Sequence, residues 1–168
     1  HSYLSPLTIG LGIYIIISAS FMRQVWEFLS KVLGAGNLHL FFIFAALLLA
    51  VGILSYIIKY YFNFLRFFSC ILILAAAYSF AWRQPYFVEK LHVLEYGLLG
   101  WLAMRDLHKS PRRNIITIIL FSFFFVLLIG SLDEVFQRLL PYRVGEIRDV
   151  ITNIISGSFG IVLFLIIK

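Results

Sequence analysis

LHLFFIFAALLLAVGILSYIIKY, residues 38–60, is the stretch on which the fold class turns. No charge precedes Lys59, and the run exceeds the roughly 20 apolar residues with which an α-helix crosses about 30 Å of hydrocarbon. Working outward, residues 4–21, 64–82, 88–104, 115–132 and 150–167 have the same character. The run at 88–104 is the least uniform, because His92 and Glu95 interrupt it. None of the six alternates polar and apolar residues as barrel strands do. The expectation is an all-α, polytopic membrane bundle of about six transmembrane helices.

Composition agrees. Of 168 residues, 62% are hydrophobic and 13% charged, too little charge to clothe a soluble domain. No polar linker divides the chain, so residues 1–168 read as a single integral-membrane domain. The connection at residues 22–37 carries Trp26, Phe28, Leu29 and Leu33 and reads as a short helix in the membrane interface. Residues 4–21 end near Ser18-Ala19-Ser20, small residues of the kind a signal peptidase accepts, but no Lys or Arg precedes the run. It is therefore expected to be a first transmembrane helix. Cys70 stands alone in an apolar run and reads as a packed core thiol.

The net charge of +6 does not point to nucleic acid, since Lys and Arg in such a chain gather at helix ends and headgroups. With the N-terminus inside, Lys59, Arg66, Arg105, Lys109, Arg112, Arg113 and Lys168 fall on the inner side. Arg23, Lys31, Arg83, Lys90, Arg138, Arg143 and Arg148 then fall on the outer side. The counts tie, but Lys90, Arg138, Arg143 and Arg148 sit among acids, whereas residues 105–113 form a concentrated basic loop. That loop is the better cytoplasmic anchor, which places both termini in the cytoplasm.

The remaining charges collect at two places on the outer side. The first is Glu89-Lys90-x-His92-x-x-Glu95-Tyr96-Gly97; the second runs from Asp133-Glu134-x-x-Gln137 through Pro141 and Arg143 to Asp149 and Asn153. Ionisable groups at the edge of a membrane are expensive, so each collection is a candidate site or an ion network that holds helices in register. Glu89, His92 and Tyr96 are spaced i, i+3, i+7 and share a helix face. Glu95 lies about 9 Å deeper than Glu89 at 1.5 Å per residue. Asp133 and Gln137 are one turn apart, and Asp149, Asn153 and Gly157 align at i, i+4, i+8. Thr152, Ser156 and Gly160 flank that stripe, whose small residues let a neighbouring backbone or a ligand approach closely. Asp149 falls at a helix N-terminus, where negative charge is favoured. The Arg143 guanidinium could fork onto Asp133, Glu134 or Asp149, or onto a ligand's phosphate or carboxylate.

These residues resemble the pattern of VanZ-like membrane proteins. Glu89-Lys90-Leu91-His92 with Tyr96 and Leu99 is similar to that family's acid-Lys…His motif. Asp133-Glu134-x-x-Gln137, Pro141-x-Arg143 and Asp149-x-x-x-Asn153-x-x-x-Gly157 are similar to the remainder. The resemblance covers residues 80–168. It implies a small helical membrane protein of a family whose founding member is linked to resistance to the lipoglycopeptide teicoplanin.

Three functions are weighed. In the first, Glu89, Lys90, His92, Glu95, Tyr96, Asp133, Glu134, Gln137, Arg143, Asp149 and Asn153 form a non-catalytic binding site on the extracytoplasmic face of the cell membrane. They would hold a lipoglycopeptide or a lipid-linked cell-envelope head group while the bundle flank takes its chain. In the second, an enzyme modifies an envelope lipid head group, with His92 as acid or base, Arg143 binding an anion and Asp133 orienting a nucleophile. In the third, a proton-coupled transporter or flippase uses Glu95, although paired repeats and broken helices are not evident. The first is preferred.

Glu89-x-x-His92-x-x-Glu95 offers metal-type ligands on neighbouring turns. Carboxylate di-metal bundles need that motif on two helices and the sequence has it on one, so neither a metal nor another cofactor is expected. Ser131 and Ser156 lack the strand-turn-helix setting of a nucleophile elbow. The expected partners are membrane lipid and a lipid-linked glycan or lipoglycopeptide.

Overall fold

A computed structural model describes residues 4–109, 113–141 and 146–168, with the side chain of Tyr61 left aside. Among them the chain forms seven helices and no strand: α1 (Pro6–Ser18), α2 (Met22–Leu33), α3 (Ala35–Tyr61), α4 (Phe64–Trp82), α5 (Phe87–His108), α6 (Ile115–Arg138) and α7 (Ile147–Ile167). The all-α membrane class is thus found. Ser110, Pro111 and Arg112 of the basic loop, and Tyr142, Arg143 and Gly145 of the outer loop, lie outside the described residues.

The boundaries have local causes. Ser5 caps α1, its hydroxyl accepting from the Thr8 amide, and Pro6 follows in the first turn, where its missing N–H costs nothing. Asn63 and Asn114 cap α4 and α6 by accepting from Leu65 and Ile116. Gly34, at φ +82°, separates α2 from α3 in a conformation that side chains disfavour.

The expected first span departs from the sequence reading. It stops at Ser18, and α2 leaves at 70° to α1. Ser18 and Ser20 donate their hydroxyls back to the carbonyls of Ile15 and Ile17, a bonding habit that bends helices. A separate helix, α2, stands within residues 22–37, where a short interfacial helix was expected. Trp26, Leu29 and Leu33 lie on one side, with Arg23, Glu27 and Lys31 on another.

Four helices, α3, α4, α6 and α7, are long and apolar enough to cross a membrane, and α1 with α2 makes a fifth if the bent pair is one span. The run expected at 88–104 is helix α5, which has 22 residues and a sufficient length, but carries Glu89, Lys90, Glu95, Arg105 and Asp106. Its polar groups are tolerated because α5 is the hub of the bundle, packed by α1, α4, α6 and α7. Tyr96, Leu99, Ala103 and Met104 are fully buried there. By contrast α3 and α4 leave Phe44, Leu47, Leu65 and Leu72 exposed, as suits side chains that face acyl chains.

Glycine sets the tightest contact. A Cβ at Gly160 of α7 would collide with the backbone of Gly97 on α5, and one at Gly100 of α5 with the backbone of Gly157 on α7. The two helices therefore cross backbone to backbone, the close approach that small residues permit.

Long-range contacts fix the two ends of the bundle. At one end the Ser5 amide donates to Asp106 Oδ2 at 2.8 Å, His108 meets Phe164 with ring centroids 5.7 Å apart, and Arg66 donates to the Lys168 carbonyl at 3.4 Å. The start of α1 and the end of α7 share this end. At the other end Trp26 of α2 stacks on Phe87 of α5 at 3.7 Å, with His39 of α3 edge-on. The second end holds the candidate site.

Candidate functional site

The start of α5, the end of α6 and the start of α7 converge beneath α2 around a pocket of about 490 Å³. Helix α5 contributes Phe87, Val88, Glu89 and His92, with Tyr86 just before it. Helix α6 contributes Glu134 and Gln137, and Glu146, Arg148, Asp149, Thr152 and Asn153 come from α7 and its cap. Arg23, Trp26 and Glu27 of α2 complete the lining.

Charges in the lining are tied to one another. Arg148 reaches Glu89 Oε1 at 3.3 Å and Asp149 Oδ1 at 3.4 Å, joining α5 to α7, while Arg23 pairs with Glu27 at 3.4 Å along α2. The Glu146 amide at the start of α7 donates to Glu134 Oε2 at 3.0 Å. Gln137 Nε2 donates to Glu134 Oε1 at 3.3 Å and to Asp133 Oδ1 at 3.2 Å. Tyr96 completes the chain inward, donating its hydroxyl to Asp133 Oδ2 at 3.0 Å. Asp133 and Glu134 are buried, at 0% and 4% exposure. Burial of carboxylates demands such donors, since an unmet charge in the interior costs several kcal/mol.

Two polar side chains of the lining break this pattern. Asn153 is 1% exposed, lines the pocket, and has neither amide atom hydrogen-bonded among the described residues. Glu89 Oε2 is likewise buried without a partner.

The eleven residues expected from sequence divide accordingly. Glu89, His92, Glu134, Gln137, Asp149 and Asn153 line the pocket. Tyr96 and Asp133 stand in the core, connected to the lining through Gln137. Lys90 turns toward Trp82, its Nζ 4.9 Å from the ring centroid, and neither it nor Glu95 is part of the lining. Arg143 lies outside the described residues. Among the described residues no group of three or more His, Cys, Asp and Glu is placed to hold a metal ion.

Sequence reasoning missed the α2 wall. Arg23, Trp26 and Glu27 lie about 60 positions or more before the start of α5, and a helix expected in the interface gave no sign of folding over the site. It also missed a second polar knot at the opposite end. Asp106, 1% exposed, accepts from the Ser5 amide at 2.8 Å, Thr8 Oγ1 at 2.5 Å and Arg105 Nη2 at 2.9 Å, and Lys109 reaches it at 3.5 Å. In the sequence Asp106 is simply one residue of the basic stretch 105–113.

A family model described as VanZ/LLP1 matches residues 7–168. The chain belongs to the VanZ/LLP1 family. Comparison with curated proteins and with solved structures gives no match. The VanZ/LLP1 match reaches well beyond residues 80–168, where the motifs lie, and takes in α1 to α4. The α2 wall is therefore inside the family's extent, as are the two charged collections.

Proposed function

We propose that this VanZ/LLP1 membrane protein is a binding module, holding the polar head of a membrane-anchored amphiphile in the pocket beneath α2. The head belongs to a lipid-linked cell-envelope molecule or to a lipoglycopeptide such as teicoplanin, and low-level resistance would follow from masking or altered access. The pocket carries this reading. Its volume of about 490 Å³ falls within the range of small-molecule sites, roughly 300–1,000 Å³. It pairs a polar floor on α6 and α7 with an aromatic side made by Trp26, Tyr86 and Phe87. The opposite end of the bundle carries Lys59, Arg66, Arg105, Lys109, Arg113 and Lys168, which supports placing the pocket on the extracytoplasmic face.

Catalysis is less well supported than binding. It requires His92, Asp133 and Arg143 around one reacting atom, yet His92 lines the pocket whereas Asp133 is buried and bonded to Tyr96 and Gln137. From sequence, Arg143 belongs to the same site, and Arg143→Lys keeps its charge while losing the planar fork.

The test is native mass spectrometry of gently extracted protein, wild type beside Thr152→Trp. That change narrows the pocket with an indole and leaves every charge in place. A lipid or lipid-linked glycan retained by the wild type and lost from the folded variant is the expected result. Equal retention by both would place the binding elsewhere.

A further inference from the structure

Asn153 holds the pocket's unused hydrogen-bonding capacity. It lies one turn beyond Asp149 on α7, and burial removes it from water. Neither its Oδ1 nor its Nδ2 meets a partner among the described residues. Leaving a buried polar group unpaired costs about 1–3 kcal/mol, so such groups are rare unless something else satisfies them. Gly130 on the facing helix α6 lets the Asn153 side chain pack closely against it. A Cβ there would stand 3.3 Å from Asn153 Cβ and 3.8 Å from its Nδ2.

A primary amide presents an acceptor and two donors side by side. Its complement is another amide or a pair of hydroxyls. An anion is poorly matched to the rest of the described lining. The guanidiniums of Arg23 and Arg148 are already paired with Glu27, Glu89 and Asp149, so an anion binding either would have to displace a carboxylate. Trp26, one face of which is stacked on Phe87, adds an aromatic edge to the lining.

Resting on the binding reading above, we infer that the pocket selects an uncharged donor–acceptor group, sugar hydroxyls or a carboxamide, through the side chain of Asn153, in preference to a phosphate.

The test uses full-length protein in nanodiscs containing equal amounts of diglucosyldiacylglycerol and phosphatidylglycerol, with native mass spectrometry reporting the retained lipid. A parallel sample in detergent receives maltose alone. The wild type should retain the glycolipid over phosphatidylglycerol, and Asn153→Leu should lower that retention at least ten-fold. The empty Leu variant should melt no lower than wild type in detergent, since an apolar side chain of similar size removes an unpaired amide. Maltose bound alone would show that the head group suffices; glycolipid bound without maltose would show that the lipid is needed, and both support the inference.

Preference for phosphatidylglycerol, or glycolipid retention unchanged in Asn153→Leu, overturns the inference and leaves a head-group pocket standing. No retained species in the wild type removes both. A lower melting temperature in an Asn153→Leu variant that still folds would assign the amide a structural role and overturn the inference. If the Leu variant does not fold, Asn153→Ala decides in its place, with retention lost if the amide binds and kept if it does not.

Discussion

Gly160→Ala tests the backbone-to-backbone crossing of α5 and α7 that holds the two halves of the pocket together. The added Cβ would lie 2.7 Å from the Gly97 carbonyl carbon and 2.8 Å from the Trp101 nitrogen, and nearer still to the Gly97 oxygen. Ordinary contact begins at 3.4 Å, so the crossing must open by about 0.6–0.7 Å for these two atoms and by more for the oxygen. Overpacking typically costs 1–3 kcal/mol when side chains can adjust. Here the obstacle is backbone, which cannot rotate away, so about 3 kcal/mol is the appropriate figure. Alanine returns roughly 1 kcal/mol through its higher helix propensity, leaving a net loss of about 2 kcal/mol. For a domain of this length that lowers the melting temperature by about 4–8 °C. Gly52→Ala on α3, where no atom lies within 4 Å of the added Cβ, is the matched control and should lose nothing. Thermal unfolding of both variants in the same detergent measures the difference. Equal melting of Gly160→Ala and Gly52→Ala would refute the close crossing.

Tyr96→Phe removes the hydroxyl that donates to buried Asp133, and a hydrogen bond to a charged group is worth about 1.5–3 kcal/mol. The variant should melt lower by that amount while Thr152 and Asn153 keep their surroundings; unchanged melting would deny the link. Asp106→Ala strips the acceptor shared by Ser5, Thr8 and Arg105. Its expected cost is about 3–5 kcal/mol, as for other broken buried pairs, with lipid retention by the folded fraction intact because Asp106 lies at the opposite end. Arg148→Gln breaks an ion pair whose guanidinium is mostly exposed. It should leave the melting temperature nearly unchanged and insensitive to salt, whereas a large drop would make the Glu89 link a structural bond.

Much of the fold is legible in the chain because hydrocarbon imposes so simple a demand. Residues 64–82 were read to their observed ends, and the runs at 38–60, 115–132 and 150–167 lie inside α3, α6 and α7. Two of these helices run past the apolar core into polar turns, α6 through Asp133 to Arg138 and α7 from Ile147 through Asp149. Apolarity finds the part that needs lipid and is silent about the rest. The break after Ser18 was less visible, since it depends on serine hydroxyls returning to the carbonyls of Ile15 and Ile17 rather than on loss of apolar character.

For the site, helical spacing grouped Glu89 with His92 and Asp149 with Asn153, both of which pairs line the pocket. Spacing could not show that Lys90, the neighbour of Glu89, turns to Trp82, nor that Trp26 folds onto Phe87 from a distant helix. The bond between Thr8 and Asp106 spans 98 positions. Such pairings follow from how the helices cross, and that in turn rests on the glycines of α5 and α7.

A high-resolution experimental structure of the protein in its own extracted lipids tests the pocket reading most directly. The expected result is density for a polar head beneath α2, within hydrogen-bond distance of both amide atoms of Asn153 and continuous with a chain along the bundle flank. A pocket holding water alone, or closed by protein groups bonded to Asn153, would contradict it.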